Sequence, residues 1–281
     1  MTSLITAPGV YDIPAEDYHR DPIEGGSLSS SGARRLLKTC PARFRYELDH
    51  PPAPTDAMEL GTAAHRMVLG VGPGLVAIDA KDRRGKVFKD AAAKARGEGK
   101  VPLLRKDYER VQDMAAALLN HPEAAALITG NGPVEQALVW LDEDSGVMCR
   151  AMLDKQTRVA GVPVIVDYKT TTEAAEDAVR KSVVSYGYDM QAAFYSDGYQ
   201  VLKLARPDFL FVFQETAPPH LIRIVRLDDD AMATGARLNR RALEMFRDCR
   251  DAGVWPGYPH EIHEVSLPPW AHDRYPEELY A

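Results

Sequence analysis

Cysteine is too scarce and too scattered in this chain to build a framework. Cys40, Cys149 and Cys249 are far apart, odd in number and include no Cys-x-x-Cys pair. That excludes a disulfide scaffold, a cysteine-based zinc site and a four-cysteine iron–sulfur cluster within the chain. Three free thiols suit a reducing compartment. Long apolar runs are missing too. The stretch from Met67 to Ile78 holds three glycines and a proline and is too short to span a bilayer. The amino terminus shows neither a basic n-region nor a long apolar run, so a cytoplasmic protein with no membrane partner is expected. There is no Gly-x-x-x-x-Gly-Lys motif, so any nucleotide-driven motor would be a separate protein. Repeats and low-complexity linkers are absent as well.

Positive charge is also lacking overall. The net charge is −7, which runs against the basic surfaces that the phosphate backbone usually selects. The distribution is uneven, however. Between Lys81 and Lys106 stand Lys81, Arg83, Arg84, Lys86, Lys89, Lys94, Arg96, Lys100, Arg105 and Lys106, against Asp82, Asp90 and Glu98. A second group, Arg34, Arg35, Lys38, Arg43 and Arg45, meets no acid until Glu47. Each group reads either as a solvated helix face or as a run of phosphate contacts. The chain has 281 residues, 45% of them hydrophobic and 27% charged. Such a chain is long enough for a full core and ordinary in composition. We expect one domain over 1–281, with an irregular N-terminal arm over about 1–26 and an irregular tail over about 256–281.

The most informative stretch is Cys149 to Thr170. Val164-Ile165-Val166 is an apolar, β-branched run that ends on Asp167, the pattern of a strand buried on both faces and interrupted by a charge. If Ala160-Gly161 form the centre of a hairpin, Asp154 falls opposite Asp167, with Cβ atoms about 5 Å apart. Two carboxylates that close in a poorly solvated sheet need a proton or a cation between them. Lys169, two residues on, shares the face of Asp167. Paired oxygen ligands suit Mg²⁺, or Mn²⁺, and a lysine beside them can orient a metal-bound water or offset charge on a phosphate. The same residues also fit a buried structural ion pair.

Around this hairpin the chain reads as alternating helices and strands. Ser29 and Ser30 lie in a serine-rich start to a helix through Arg34 and Arg35, which is either a phosphate seat or an ordinary cap. Pro41 opens a further helix. Met58 to Leu69 reads as a helix whose Gly61, Ala64 and His65 share a face, with His65 either a core residue or a ligand. Residues 79 to 106 form the basic segment, with Gly97-Glu98-Gly99 as a flexible point. Lys106 to Leu119 has helical period, and Pro133 to Leu141 reads as a strand carrying Glu135 near its start. Helices follow over about Glu173 to Val183 and Tyr188 to Leu202, where Gln191 and Tyr195 are spaced i,i+4 on one face. Strands are expected over Asp208 to Gln214 and Leu221 to Val225, then a long helix over Asp228 to Ala252.

Taken in order, several features together resemble the RecE-type phage recombination exonucleases, in the RecB-like branch of the PD-(D/E)xK nuclease superfamily. They are Leu28-Ser29 to Cys40-Pro41 with Phe44, the Gly61-x-x-x-His65 helix, Glu135, Asp154, Asp167-Tyr168-Lys169-Thr170, and Gln191-x-x-x-Tyr195. The resemblance implies an α/β restriction-endonuclease-like core, a central mixed sheet flanked by helices. It also implies metal ligands at His65, Asp154 and Asp167, a catalytic Lys169, and roles for Glu135, Gln191 and Tyr195 in the same site or its DNA contacts. Further implied are Mg²⁺-dependent digestion of linear duplex DNA from 5′ ends, a RecT-like single-strand annealing partner, and a homo-oligomer that can close into a ring. Two alternatives stay open: another RecB-like nuclease, endonucleolytic or helicase-associated, and a non-catalytic module that binds DNA ends.

Overall fold

A computed structural model describes residues 4–203, 205–268 and 271. In chain order the elements are β1 (Gly9–Tyr11), α1 (Ala15–His19), β2 (Leu28–Ser29), α2 (Ser30–Lys38), α3 (Pro41–Asp49) and α4 (Asp56–Leu69). Then come β3 (Leu75–Ile78), α5 (Lys86–Gly97), β4 (Val101–Leu104), α6 (Arg105–Leu119), α7 (Pro122–Thr129) and β5 (Val134–Asp142). The second half holds β6 (Val147–Val159), β7 (Val162–Thr171), α8 (Glu176–Tyr186), α9 (Tyr188–Lys203), β8 (Asp208–Glu215), β9 (Ile222–Val225) and α10 (Asp229–Ala252).

Seven strands form one mixed sheet in the order β1-β5-β6-β7-β8-β9, with β2 pairing alongside β6. β5, β6 and β7 run antiparallel, β7 and β8 parallel, and β8 and β9 antiparallel. Helices cover both faces, as the parallel pair requires. On one face α2, α9 and α10 close over Leu138, Trp140, Ile165, Phe211 and Phe213. On the other, α4, α6 and α7 close over Val164, Val166, Tyr168 and Val212. The expected α/β architecture, a central mixed sheet flanked by helices, is the one present. Among the described residues no helix is long and apolar enough to cross a membrane.

The hairpin lies where its residues put it. Val159 pairs with Val162, and Ala160 and Gly161 between them have φ of 48° and 83°. Both central residues are left-handed, the backbone of a type I′ turn, whose twist matches the flanking strands. That register sets Asp154 opposite Asp167, one step beyond the Lys155–Val166 pair.

Two expectations need correction. The span read as an irregular arm contains β1, which extends the sheet by pairing with β5, and α1, whose Tyr18 is buried. Arg150 on β6 ties this span down through Asp21 (2.9 Å) and Ser27 Oγ (2.6 Å). The basic segment is folded as well, as α5 and as β4 paired with β3 around Phe88. The tail has no helix or strand from Pro256 to Pro268, and the rest of that expectation, Ala271 apart, lies outside the described residues.

α10 is fixed to the sheet end by Arg240, which donates to both oxygens of Asp142 at 2.7 and 2.8 Å. Burial alone would raise the Asp142 carboxyl, but hydrogen bonds from Arg240 and Ser145 outweigh it and hold it below its ordinary range. A depressed carboxyl stabilises the fold above its unfolded pKa of about 4 and loses that contribution as pH falls through the folded value. Asp142→Asn is therefore expected to lower stability at pH 7 by about 1 kcal/mol, a modest figure because the Arg240 side chain is 38% exposed and its charge partly screened. Urea unfolding of both proteins across pH should show the difference shrinking below about pH 4.

Candidate active site

The chemistry gathers where the sheet changes its alternation. Val134 and Leu138 have the same strand parity, yet Val134 packs with the α4/α6/α7 cluster and Leu138 with the α2/α9/α10 cluster. Between them Glu135 has a φ of 48°, and the ladder passes from Val134–Lys155 to Gln136–Leu153 without a Glu135–Asp154 pair. A left-handed non-glycine residue is uncommon and is sustained only where its surroundings hold it. The break frees Glu135 and Asp154 from regular pairing. Glu135, Asp154 and Asp167 thus form one row across three adjacent strands.

Helices from opposite faces reach this row. From α4, His65 Nε2 lies 3.2 Å from Asp154 Oδ1, and His65 Nδ1 lies 3.3 Å from Glu135 Oε1. The approach depends on small residues, since a Cβ on Gly61 would lie 3.4 Å from Thr170 Oγ1 of β7. From α9, Gln191 Nε2 donates to Asp167 Oδ1 at 2.7 Å. Within the sheet, the Tyr168 N–H donates to Asp154 Oδ2 at 2.9 Å, and Lys169 Nζ lies 2.5 Å from Asp167 Oδ2. That last contact is a buried ion pair, and it holds Lys169 against the Asp167 carboxylate. Lys169 Nζ also lies 5.2 Å above the ring of Tyr188.

The electrostatics follow from crowding. Burial raises the Asp167 carboxyl and Asp154 raises it further, with Lys169 opposing both. Burial would raise Asp154 too, but His65 and Lys169 prevail and hold it low. Burial would disfavour the His65 imidazolium, yet Asp154 and Glu135 raise its pKa to about 10. Lys169 is likewise held charged by Asp167 and Asp154 against the cost of burial.

The donor set fits a divalent cation: two carboxylates on neighbouring strands and an imidazole against one of them. Among the described residues no three His, Cys, Asp or Glu side chains are gathered into a ready cage. In their place the protonated His65 and Lys169 balance the acids. Asp154, Asp167 and His65 would hold an ion by exchanging these internal pairs for it.

The remaining sequence candidates lie around this centre in different settings. Ser29 caps α2, its Oγ accepting from Gly32 N, and Ser30 Oγ is buried without a partner. Arg34 donates to the Tyr186 carbonyl at 2.5 Å, whereas Arg35 is turned onto the ring of Phe44. Tyr195 packs on Phe209, and its hydroxyl is pushed up by burial and by the nearby Tyr18, Asp167 and Asp154. In the basic segment, Arg83 is taken up by Asp56, Glu59 and Asp107, Arg96 by Glu59, and Arg105 by Asp79. Lys81, Arg84, Lys86, Lys89 and Lys106 make no ion pair among the described residues, and Lys94 lies near enough to Glu98 to help lower its pKa. Sequence reasoning missed Tyr188 and the Tyr168 N–H. The Tyr186-Gly187-Tyr188 run was a usable signal for the first; nothing in the residue types announces the second.

Comparison with known proteins gives the family and the fold. The family model described as a PDDEXK-like domain of unknown function (DUF3799) matches residues 29–267. No curated protein matches the chain. A crystal structure from Eubacterium rectale, provisionally described as that of an exonuclease, superposes with a TM-score of 0.65 at 13% identity, covering 94% of this chain and 99% of the other. The structure of SSO0001 matches with a TM-score of 0.34 at 14% identity, covering 77% and 74% of the two chains.

Proposed function

This chain belongs to the PDDEXK-like family, and on that premise we propose that it is a divalent-metal-dependent nuclease that digests linear duplex DNA from 5′ ends and leaves 3′ overhangs. The observation that carries the proposal is the hairpin register: Asp154 opposite Asp167, with Lys169 on the face of Asp167 and His65 against Asp154. A bound Mg²⁺ or Mn²⁺ supplies a nucleophilic water at neutral pH and a Lewis acid for the phosphate oxygen.

The residues themselves divide the rest. Asp154, Asp167 and His65 would hold the ion. Lys169, kept charged by the two acids, orients the attacking water and offsets charge as the phosphate becomes more negative. Gln191 fixes the Asp167 carboxylate through Oδ1, and the Tyr168 N–H fixes Asp154, so both ligands are held by supporting hydrogen bonds. Arg34 supplies a contact for the strand; Ser29 and Ser30, both buried, and Arg35, turned onto Phe44, are the weaker candidates. Polarity, the annealing partner and a ring-shaped oligomer rest on the resemblance to RecE-type exonucleases.

The test is hydrolysis of a linear duplex labelled at either its 5′ or its 3′ end, with Mg²⁺ or with EDTA, beside a closed circle. Metal-dependent release from 5′ ends that spares the circle is the expected result. Cutting of the circle at the same rate would transfer the reading to an endonuclease. DNA bound but never cut would leave the module that binds DNA ends.

A further inference from the structure

Two aromatic side chains extend the site outward. Tyr188 packs on Phe211 and Phe213 inside, carries Lys169 Nζ over its face, and stacks on Tyr186, with centroids 5.6 Å apart and an interplanar angle of 29°. Tyr186, the last residue of α8, remains 62% exposed despite that stack. Isolated exposed apolar residues are ordinary. This one is different because its backbone is clamped. Gly187 takes a φ of 62°, Arg34 Cδ lies 2.7 Å from where a Gly187 Cβ would stand, and Arg34 Nη1 donates to the Tyr186 carbonyl. Arg34 itself has no acidic partner among the described residues, so its charge stays available beside the ring.

We infer that Tyr186 is a stacking platform for a nucleobase next to the cleaved phosphate, with Arg34 receiving the phosphate of the same nucleotide. Every base has a π-face, so such a contact holds position without reading sequence. An aromatic ring fixed by its own turn loses little freedom on binding. An exposed tyrosine two ring contacts from Lys169 suits a site that must hold a strand end in register while the bond beside it is cut. The inference deepens the nuclease reading and rests on it.

The test uses short duplexes carrying 2-aminopurine at each of the last few positions of either strand, titrated with the full-length protein in EDTA and in Mg²⁺. Stacking on an aromatic ring should quench one position selectively. Tyr186→Phe should retain the quenching, and Tyr186→Leu should lose it with about a fivefold to hundredfold rise in Kd. An abasic site at the quenched position should erase the difference between wild type and Tyr186→Leu. If Tyr186→Leu binds and quenches as wild type does, the platform is refuted and the nuclease reading stands. Quenching without hydrolysis by the wild type removes the nuclease reading and with it the platform's place beside a cleaved phosphate, leaving Tyr186 only a contact for a bound end. No binding of duplex ends by the wild type overturns both.

Discussion

Asp154→Asn is expected to remove metal-dependent hydrolysis of linear duplex DNA, by a factor of about 10³ or more, while leaving the circular-dichroism spectrum unchanged. The fold should survive because Asn keeps the size of Asp154 and can still accept from the Tyr168 N–H, which holds the carboxylate at 2.9 Å. The chemistry should not survive. A neutral amide is a poor ligand for a hard cation, and one fewer negative charge leaves Asp167 to bind the ion with His65 alone. Loss of a single preorganised electrostatic group costs roughly 10²–10³ in rate elsewhere, and loss of an ion ligand removes the water's activation as well.

A second readout separates binding from turnover. An ion that binds the folded state alone raises stability by RT ln(1 + [L]/Kd), about 2.7 kcal/mol at a hundredfold excess over Kd. Wild type should therefore melt higher in Mg²⁺ than in EDTA, and Asp154→Asn should not. Lys169→Met should lose hydrolysis but keep the metal-induced shift, since Lys169 donates no ligand and its removal relieves a competing cation 2.5 Å from Asp167. Retained hydrolysis in Asp154→Asn would sink the assignment of the metal to this pair.

How much of this was legible in the sequence depends on how local the cause is. The hairpin could be read because an apolar β-branched run and an Ala-Gly turn fix the register by themselves, and with it the facing of Asp154 and Asp167. The convergence of His65 could be read from Gly61 and Ala64 on its own helix face. The break at Glu135 could not. A left-handed glutamate carries no residue-type signal, and the change of alternation it produces shows only in which core Val134 and Leu138 join. β1 was missed for a similar reason, being three residues whose only support is the edge of β5. The basic segment misled because charge counts ignore pairing. Arg83 looked free for phosphate until α4 and α6 brought Glu59 and Asp107 to it.

The largest stability effect is expected from a glycine at a helix crossing. Gly235 lies on α10 where it crosses α9, and a Cβ there would stand 2.2 Å from the Asp189 carbonyl oxygen, 2.4 Å from its carbon and 2.8 Å from Met190 N. Each of these is backbone, so no rotamer change can relieve the clash, and the helices must separate. Overpacking a core costs roughly 1–3 kcal/mol where side chains can adjust. Gly235→Val should cost about 3 kcal/mol or more, measured as a fall in the urea midpoint. Gly97, at the end of α5 with nothing within 4 Å of a built Cβ, provides the control. Gly97→Ala should be neutral or gain up to about 1 kcal/mol. The crossing also bears on function. Asn239 Nδ2 donates to the Met190 carbonyl at 2.9 Å, one residue before Gln191, whose amide holds Asp167. Pushing α10 outward moves the first turn of α9 and withdraws that amide. The milder Gly235→Ala, assayed at a temperature where it remains folded, should therefore lose turnover beyond what its folded fraction explains, and Gln191→Leu should reproduce the loss without the instability. Turnover that merely tracks the folded fraction would confine α10 to a scaffolding role.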